Sequence, residues 1–159
     1  MGDIKGDGRT RIERTSEREL VVTRVFDAPV RLVFDAWSQA ELFKLWWAPK
    51  SLGMALLACE MDVRTGGGYR LTFAAGEGGS FSFFGKYIEV VPCAKMVWTN
   101  EESDGGSVTT VTFEEQDGGT RVVLHELYPS KEAFEEGAGA EDAFPEQFAQ
   151  LDELLPTLE

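Results

Sequence analysis

Apolar and polar positions along this chain follow first a period of two, then a helical period, then a period of two again. Leu20 to Phe26 is dense in β-branched and aromatic residues, the composition of a pleated, half-buried surface. Pro29 stops a ladder from continuing, so a strand ends near Asp27. Pro29 fits the first helical position, where its missing N–H costs nothing, and Val30, Val33, Phe34 and Trp37 follow at helical spacing as one apolar stripe. Ser38 and Glu41 stand at the spacing of a capping box, and Leu42, Leu45 and Trp46 make the next stripe. A second short helix is expected there, ended by Pro49, because the residue before a proline is pushed out of the α region.

From Leu52 to Leu127 the pattern is that of strands separated by turn residues. Leu57, Cys59, Met61 and Val63 alternate against Ala58, Glu60, Asp62 and Arg64, which places the apolar set inward. Gly66 to Gly68 turn the chain into Tyr69 to Ala74, where Tyr69, Leu71 and Phe73 alternate, and a glycine-rich loop at Gly76 to Gly79 follows. Phe81 to Val91 is a long aromatic strand, and Pro92 marks the turn into Lys95 to Glu101. Asp104-Gly105 and Asp117-Gly118 bracket Ser107 to Glu115 and introduce Thr120 to Leu127 as two more strands. Short turns between consecutive strands imply an antiparallel meander.

The last segment returns to helical spacing, with Phe144, Phe148, Leu151, Leu155 and Leu158 on one face and carboxylates on the other. Pro145 would cost about 3 kcal/mol in a helix interior, so it is expected at a start or a kink, with Ser130 to Glu136 a separate turn of helix. A strongly curved sheet does not fill its own concave side, and this helix is the long element left to cover it. The space the two surfaces leave unfilled is expected to be a pocket lined by aromatics.

The 159 residues, 43% of them hydrophobic, suit one core. Residues 1–17 read as a polar tail or an edge extension and 18–159 as a single domain. Lys plus Arg total 15 against 28 for Asp plus Glu, and the net charge of −13 argues against nucleic acid and anionic lipid surfaces as partners. No apolar run approaches the roughly 20 residues of a membrane span, and a cytoplasmic location is expected. Cys59 and Cys93, far apart and in apolar surroundings, read as free packing thiols.

Several segments in order carry a resemblance: RVFDAPVRLVFDAW, Trp46-Trp47 followed by Ala48-Pro49-Lys50, CEMDVRTGGGYRLTF, FGKYIEVVPCAKMVWT and VTFEEQDGGTRVVLHELYP. They resemble the bacterial homologues of the heat-shock ATPase activator domain, members of the START-like SRPBCC superfamily, over Leu20 to about Leu155. The resemblance implies an α+β helix-grip fold. In it, a curved antiparallel sheet of about six or seven strands wraps around a C-terminal helix, with two short helices after the first strand. Two departures bear on the site. Pro145 interrupts a helix that the family usually runs unbroken, and the strand Arg121 to Leu127 sits one residue out of step before its His-Glu pair, which decides the face His125 takes.

His125 is the only histidine, so multi-histidine metal sites are excluded and a catalytic triad would have to be built on it alone; no cofactor is implied. It is a candidate general base or hydrogen-bonding residue at the cavity end, weighed against a strand-end histidine with a structural or solvent contact. Glu60 and Asp62, about 7 Å apart along one strand face, read as a solvated face beside Arg64 and Arg70 rather than as an acid and base pair. Trp46 and Trp47 are the most ligand-like pair, two indoles at a helix end. Met61, Tyr69, Phe73, Phe84, Tyr87 and Trp98 are further cavity candidates, with Phe144 and Phe148 from the closing helix. Three roles follow in order of support. The first is binding of a small hydrophobic or aromatic molecule, the second a chaperone co-factor resembling heat-shock ATPase activators, and the third a cyclase or hydrolase using the same cavity. The strand edge near the N-terminus offers pairing across a homodimer.

Overall fold

A computed structural model describes residues 4–5, 10–48, 56–74, 79–101, 106–136 and 144–158. Strands β1 (Ile4–Lys5), β2 (Thr10–Ser16) and β3 (Glu19–Phe26) lead into helices α1 (Val30–Ser38) and α2 (Ala40–Phe43). Six strands follow: β4 (Leu56–Met61), β5 (Gly68–Ala74), β6 (Ser80–Val91), β7 (Lys95–Thr99), β8 (Val108–Gln116) and β9 (Gly119–Leu127). Helices α3 (Lys131–Glu136) and α4 (Phe144–Leu154) close the chain, the latter running into a 3-10 turn at Leu155–Leu158. The curved sheet is antiparallel throughout, in the order β1-β2-β3-β9-β8-β7-β6-β5-β4. This is the expected α+β helix-grip architecture.

The seven strands from β3 to β9 are those the alternation predicts; the remaining two come from the N-terminal segment. Of the two forms expected for the N-terminal segment, Thr10–Ser16 takes the edge extension and not the loose tail: it is a strand paired with β3, Ile12 opposite Val22. Ile12 and Thr10 are each 1% exposed. With one aliphatic residue among polar ones, the segment carries too little contrast for a period of two to show.

In α1, Pro29 takes the position before the first helical residue, with extended φ and ψ, rather than the first helical position. The buried face is wider than one stripe, adding Leu32 and Ala36 to Val33, Phe34 and Trp37. The capping box does not form: Ser38 is the last residue of α1, and Gln39 precedes α2 without a side-chain cap. The buried face of this turn is therefore Phe43 and Trp46, while Leu45 is 54% exposed and Leu42 half-buried. Aromatic packing decides the register, since Trp46 meets Trp37 edge to face at 4.8 Å and Phe43 stacks on Trp47 at 4.7 Å. Pro49 lies outside the described residues.

In β4 the expected alternation fails at one point. A bulge between Leu56 and Ala58 turns Leu56 inward against Phe73 and leaves Leu57 60% exposed, after which Cys59 and Met61 face inward as expected. Asp117 and Gly118 both have positive φ, 51° and 84°, the two-residue turn whose twist matches a hairpin, here joining β8 to β9. The turn at Asp104-Gly105 and residues 75–78 of the glycine-rich loop lie outside the described residues. Pro145 is the second residue of α4, so it starts the helix, and its missing N–H falls where no intrahelical partner exists. Phe144, Phe148, Leu151 and Leu155 are buried as the spacing predicts. Helix α4 packs chiefly on β2, β3 and its own 3-10 extension.

Candidate functional site

The site is built by cross-strand pairing on the concave face of β4, β5 and β6. Cys59 pairs with Leu71 and Met61 with Tyr69, while on the other side of β5 Leu71 pairs with Phe83 and Phe73 with Phe81. Paired residues share a face. Phe73 is 2% exposed, whereas Phe81 and Phe83 are 40% and 37% exposed. Their rings form one group, Phe81 stacked on Phe73 at 5.5 Å and Phe83 edge-on to Phe73 at 5.6 Å.

Phe84, a sequence candidate, stands on the opposite face: it pairs with Arg70, whose guanidinium lies 4.8 Å over its ring. Phe81 and Phe83 are the residues the sequence reading passed over. The signal was the parity of β6, because Phe81 and Phe83 alternate with Gly85 toward the same face while Phe84 does not. Gly85 is constrained, since a Cβ there would meet the Thr99 carbonyl oxygen at 1.9 Å.

Beyond Gly85 the wall continues as Tyr69, Tyr87 and Trp98, with ring centroids 5.7 to 6.5 Å apart. Tyr69 is half-buried; Tyr87 and Trp98 are buried. Burial, with lesser contributions from Cys59 and Asp62, pushes the Tyr87 phenol well above its ordinary pKa, so it stays protonated. A chain of hydrogen bonds crosses the sheet from this group. The Tyr69 hydroxyl lies 2.8 Å from the Thr99 carbonyl and 3.1 Å from Asn100 Oδ1. Asn100 Nδ2 donates to Thr109 Oγ1 at 3.0 Å. Thr109 lies 3.5 Å from Glu126 Oε1, and the Tyr128 hydroxyl donates to Glu126 Oε2 at 2.9 Å. Asn100, Thr109, Glu126 and Tyr128 were absent from the sequence candidates.

His125 points the other way. Val122 and Leu124 are buried on the concave face, Glu126 shares their parity, and His125 lies on the outer face, 2.8 Å from Glu19 Oε2. The His125 hydrogen bond, followed by that of Ser16, holds the Glu19 carboxyl below its ordinary pKa. Glu60 is exposed on that same outer face, opposite Arg70, and Asp62 is bound by Arg64 at 2.9 Å.

Trp46, Phe144 and Phe148 gather around Trp37 and α4 rather than beside the aromatic wall of β5 and β6. Trp37 and Trp46 are fully buried, and the Trp46 indole N–H donates to the Ala36 carbonyl at 3.0 Å. Trp47 is half-buried, and Gln147 donates to its carbonyl at 2.5 Å. Gln150 donates to the carbonyls of Trp46 and Ala48 at 2.9 and 3.0 Å, so α4 holds the segment leaving α2 by its backbone. Trp98 links the two regions, its ring 6.2 Å from Trp37.

Cys59 lies half-buried on the concave wall, where burial raises its thiol pKa and keeps it protonated. Among the described residues, no three histidine, cysteine or carboxylate side chains converge to hold a metal ion. No helix among them is long and apolar enough to cross a membrane. An open pocket of about 390 Å³ at the Gly66–Gly68 turn is lined by Tyr69, Arg70, Phe84, Lys86 and Glu101.

The fold is shared with several solved bacterial structures. A protein from Rhodobacter sphaeroides is 22% identical with a TM-score of 0.87, covering 95% of this chain and 100% of its own. A protein from Rhizobium leguminosarum is 29% identical with a TM-score of 0.72, covering 87% of this chain and 94% of its own. An AHSA1-like protein from Aeromonas hydrophila is 19% identical with a TM-score of 0.71, covering 85% of this chain and 92% of its own. No curated protein matches the sequence. The sequence pattern of the family described as Activator of Hsp90 ATPase homolog 1-like protein matches residues 27–156. The chain therefore belongs to the Activator of Hsp90 ATPase homolog 1-like family.

Proposed function

We propose that this protein binds a small hydrophobic or aromatic molecule against the concave face of β4 to β7. The observation that carries the reading is the exposure of Phe81 and Phe83, at 40% and 37%, on the face where Phe73, Leu71, Tyr87 and Trp98 are buried. Two phenylalanine rings left open to solvent beside a buried aromatic wall form the kind of apolar surface that a ligand covers. Met61, Cys59 and Tyr69, each half-buried, extend that surface toward the hydrogen-bonded residues Asn100, Thr109 and Glu126. Native mass spectrometry of the purified protein, with a thermal-shift screen of lipids and aromatic metabolites, tests the reading. A retained or stabilising ligand is expected, and no response across broad libraries contradicts it.

A second reading is a co-factor of a chaperone ATPase, favoured by the family description and by a net charge of −13 suited to a basic partner. Stimulation of a chaperone ATPase by the purified protein supports it, and an unchanged rate removes it.

A further inference from the structure

We propose that the open pocket on the outer face at the Gly66–Gly68 turn binds the carboxylate of a small organic acid, with Arg70 and Lys86 as its two cations. The pocket lies across the sheet from the concave face, so it stands or falls apart from the binding role proposed above.

Two cross-strand pairs on the outer face build the pocket, Gly68 with Lys86 and Arg70 with Phe84, and they set Arg70 and Lys86 as diagonal neighbours. Gly68 has no side chain to cover the space beside Lys86, and a Cβ there would meet the Gly85 carbonyl oxygen at 3.1 Å. The open space, about 390 Å³, falls in the size range of small-molecule sites. The Arg70 guanidinium lies 4.8 Å from the centre of the Phe84 ring, so it leans from β5 toward β6 and the pocket, away from Glu60 on β4. Phe84, half-buried, adds apolar surface to the lining.

Charge decides what the pocket takes. The chain carries 28 Asp and Glu against 15 Lys and Arg, and Arg11, Arg24, Arg64 and Lys95 each pair with a carboxylate. Among the described residues, neither Arg70 nor Lys86 forms an ion pair. Glu101 also lines the pocket, but its Oε2 accepts a hydrogen bond from Thr99 Oγ1 at 2.5 Å and it forms an ion pair with neither cation. Two positive side chains and one negative leave the lining one positive charge in excess, which a single carboxylate balances. The Gly66 and Gly67 N–H groups already donate to the carbonyls of Tyr87 and Arg64, so the anion has to be held by side chains. A guanidinium fork matches the two oxygens of a carboxylate, and an ammonium beside it adds a point charge.

The test is NMR chemical-shift titration at neutral pH with three probes of one shape: naphthoate, naphthylmethanol and naphthylmethylamine. Naphthoate is expected to move the amides of Gly66, Gly67, Gly68, Arg70 and Lys86, and to bind there about tenfold tighter than the alcohol, the combined worth of two exposed charge contacts. Its affinity is expected to weaken as salt is raised, because exposed charges are screened. Arg70→Gln and Lys86→Gln, both at exposed positions, are each expected to weaken it about threefold, with melting curves showing that the variants are folded. The probe comparison on the unaltered protein stands even if a variant does not fold. An alcohol or amine that matches naphthoate at these amides, an affinity indifferent to salt, or one unchanged in both folded variants overturns the inference. Naphthoate shifts confined to Met61, Phe81 and Phe83 overturn it too, while supporting the concave role; shifts confined to the turn leave that role to its own test.

Discussion

Arg24 on β3 reaches the Asp152 carboxylate on α4, an ion pair between a residue 2% exposed and one 20% exposed. Arg24 also donates to Thr10 Oγ1 at 2.5 Å, and its guanidinium lies 5.5 Å from the centre of the Phe26 ring, so one buried cation joins β2, β3 and the closing helix. Paired and hydrogen-bonded, the charge is tolerated; stripped of a partner, it is not. Asp152→Ala is expected to lower unfolding free energy by about 3–5 kcal/mol, the cost of breaking a buried pair. The double variant Arg24→Met, Asp152→Leu is expected to recover most of it, because no uncompensated charge remains. Denaturant titrations of both variants measure the difference.

Gln150 donates to two backbone carbonyls of the segment leaving α2. Gln150→Leu leaves the Trp46 and Ala48 carbonyls without the bonds it supplies. The expected loss is about 1–3 kcal/mol for each buried acceptor deprived. Faster amide exchange in the segment after α2 is the local sign, read by hydrogen-exchange mass spectrometry.

Phe73 and its neighbours Phe81 and Phe83 share a ring group but differ in what they support. Phe73, 2% exposed, is core, and Phe73→Ala is expected to cost about 3–5 kcal/mol. The double variant Phe81→Ser, Phe83→Ser is expected to leave the melting temperature nearly unchanged and to abolish ligand-induced stabilisation. Thermal-shift curves with and without a stabilising ligand give both answers.

The Glu19 carboxyl, lowered by the His125 hydrogen bond, sets a sign for pH dependence. A carboxyl whose folded-state pKa lies below its unfolded value stabilises the fold above the unfolded value, and that contribution is lost as pH falls through the folded pKa. The stability difference between the unaltered protein and Glu19→Gln should therefore favour the former near neutrality and vanish toward the acid end of the carboxylate range. Denaturation midpoints measured at a series of pH values show the trend, and a difference that grows as pH falls contradicts it.

The antiparallel meander from β4 to β9 was legible because it rests on a local signal, alternation, and Pro145 narrowed its place in the last helix to a start or a kink, while the pairing of β3 with β9 is long-range. Features set by long-range packing were not. Trp37, in contact with Trp46, Trp47 and Phe43, fixes the register of α2 and overrides the capping signal at Ser38. The bulge at Leu57 exposes a leucine that unbroken alternation would bury, and another irregularity between Tyr87 and Glu89 shifts the register late in β6. Glu126 instead of His125 faces inward because Val122 and Leu124 set the parity of β9, which a sequence comparison one residue out of step obscured. The polar chain through Asn100, Thr109 and Glu126 joins residues from separate strands and loops, and nothing in their order along the sequence announces it.

The proposed binding role places a ligand on the concave face at Phe81 and Phe83. Chemical-shift mapping by NMR during titration with naphthylmethanol tests it directly. Perturbations are expected to concentrate at Met61, Tyr69, Phe81 and Phe83, with Phe84, Arg70 and His125 on the outer face unmoved. Shifts confined to the outer face, or none at saturating probe, would contradict it.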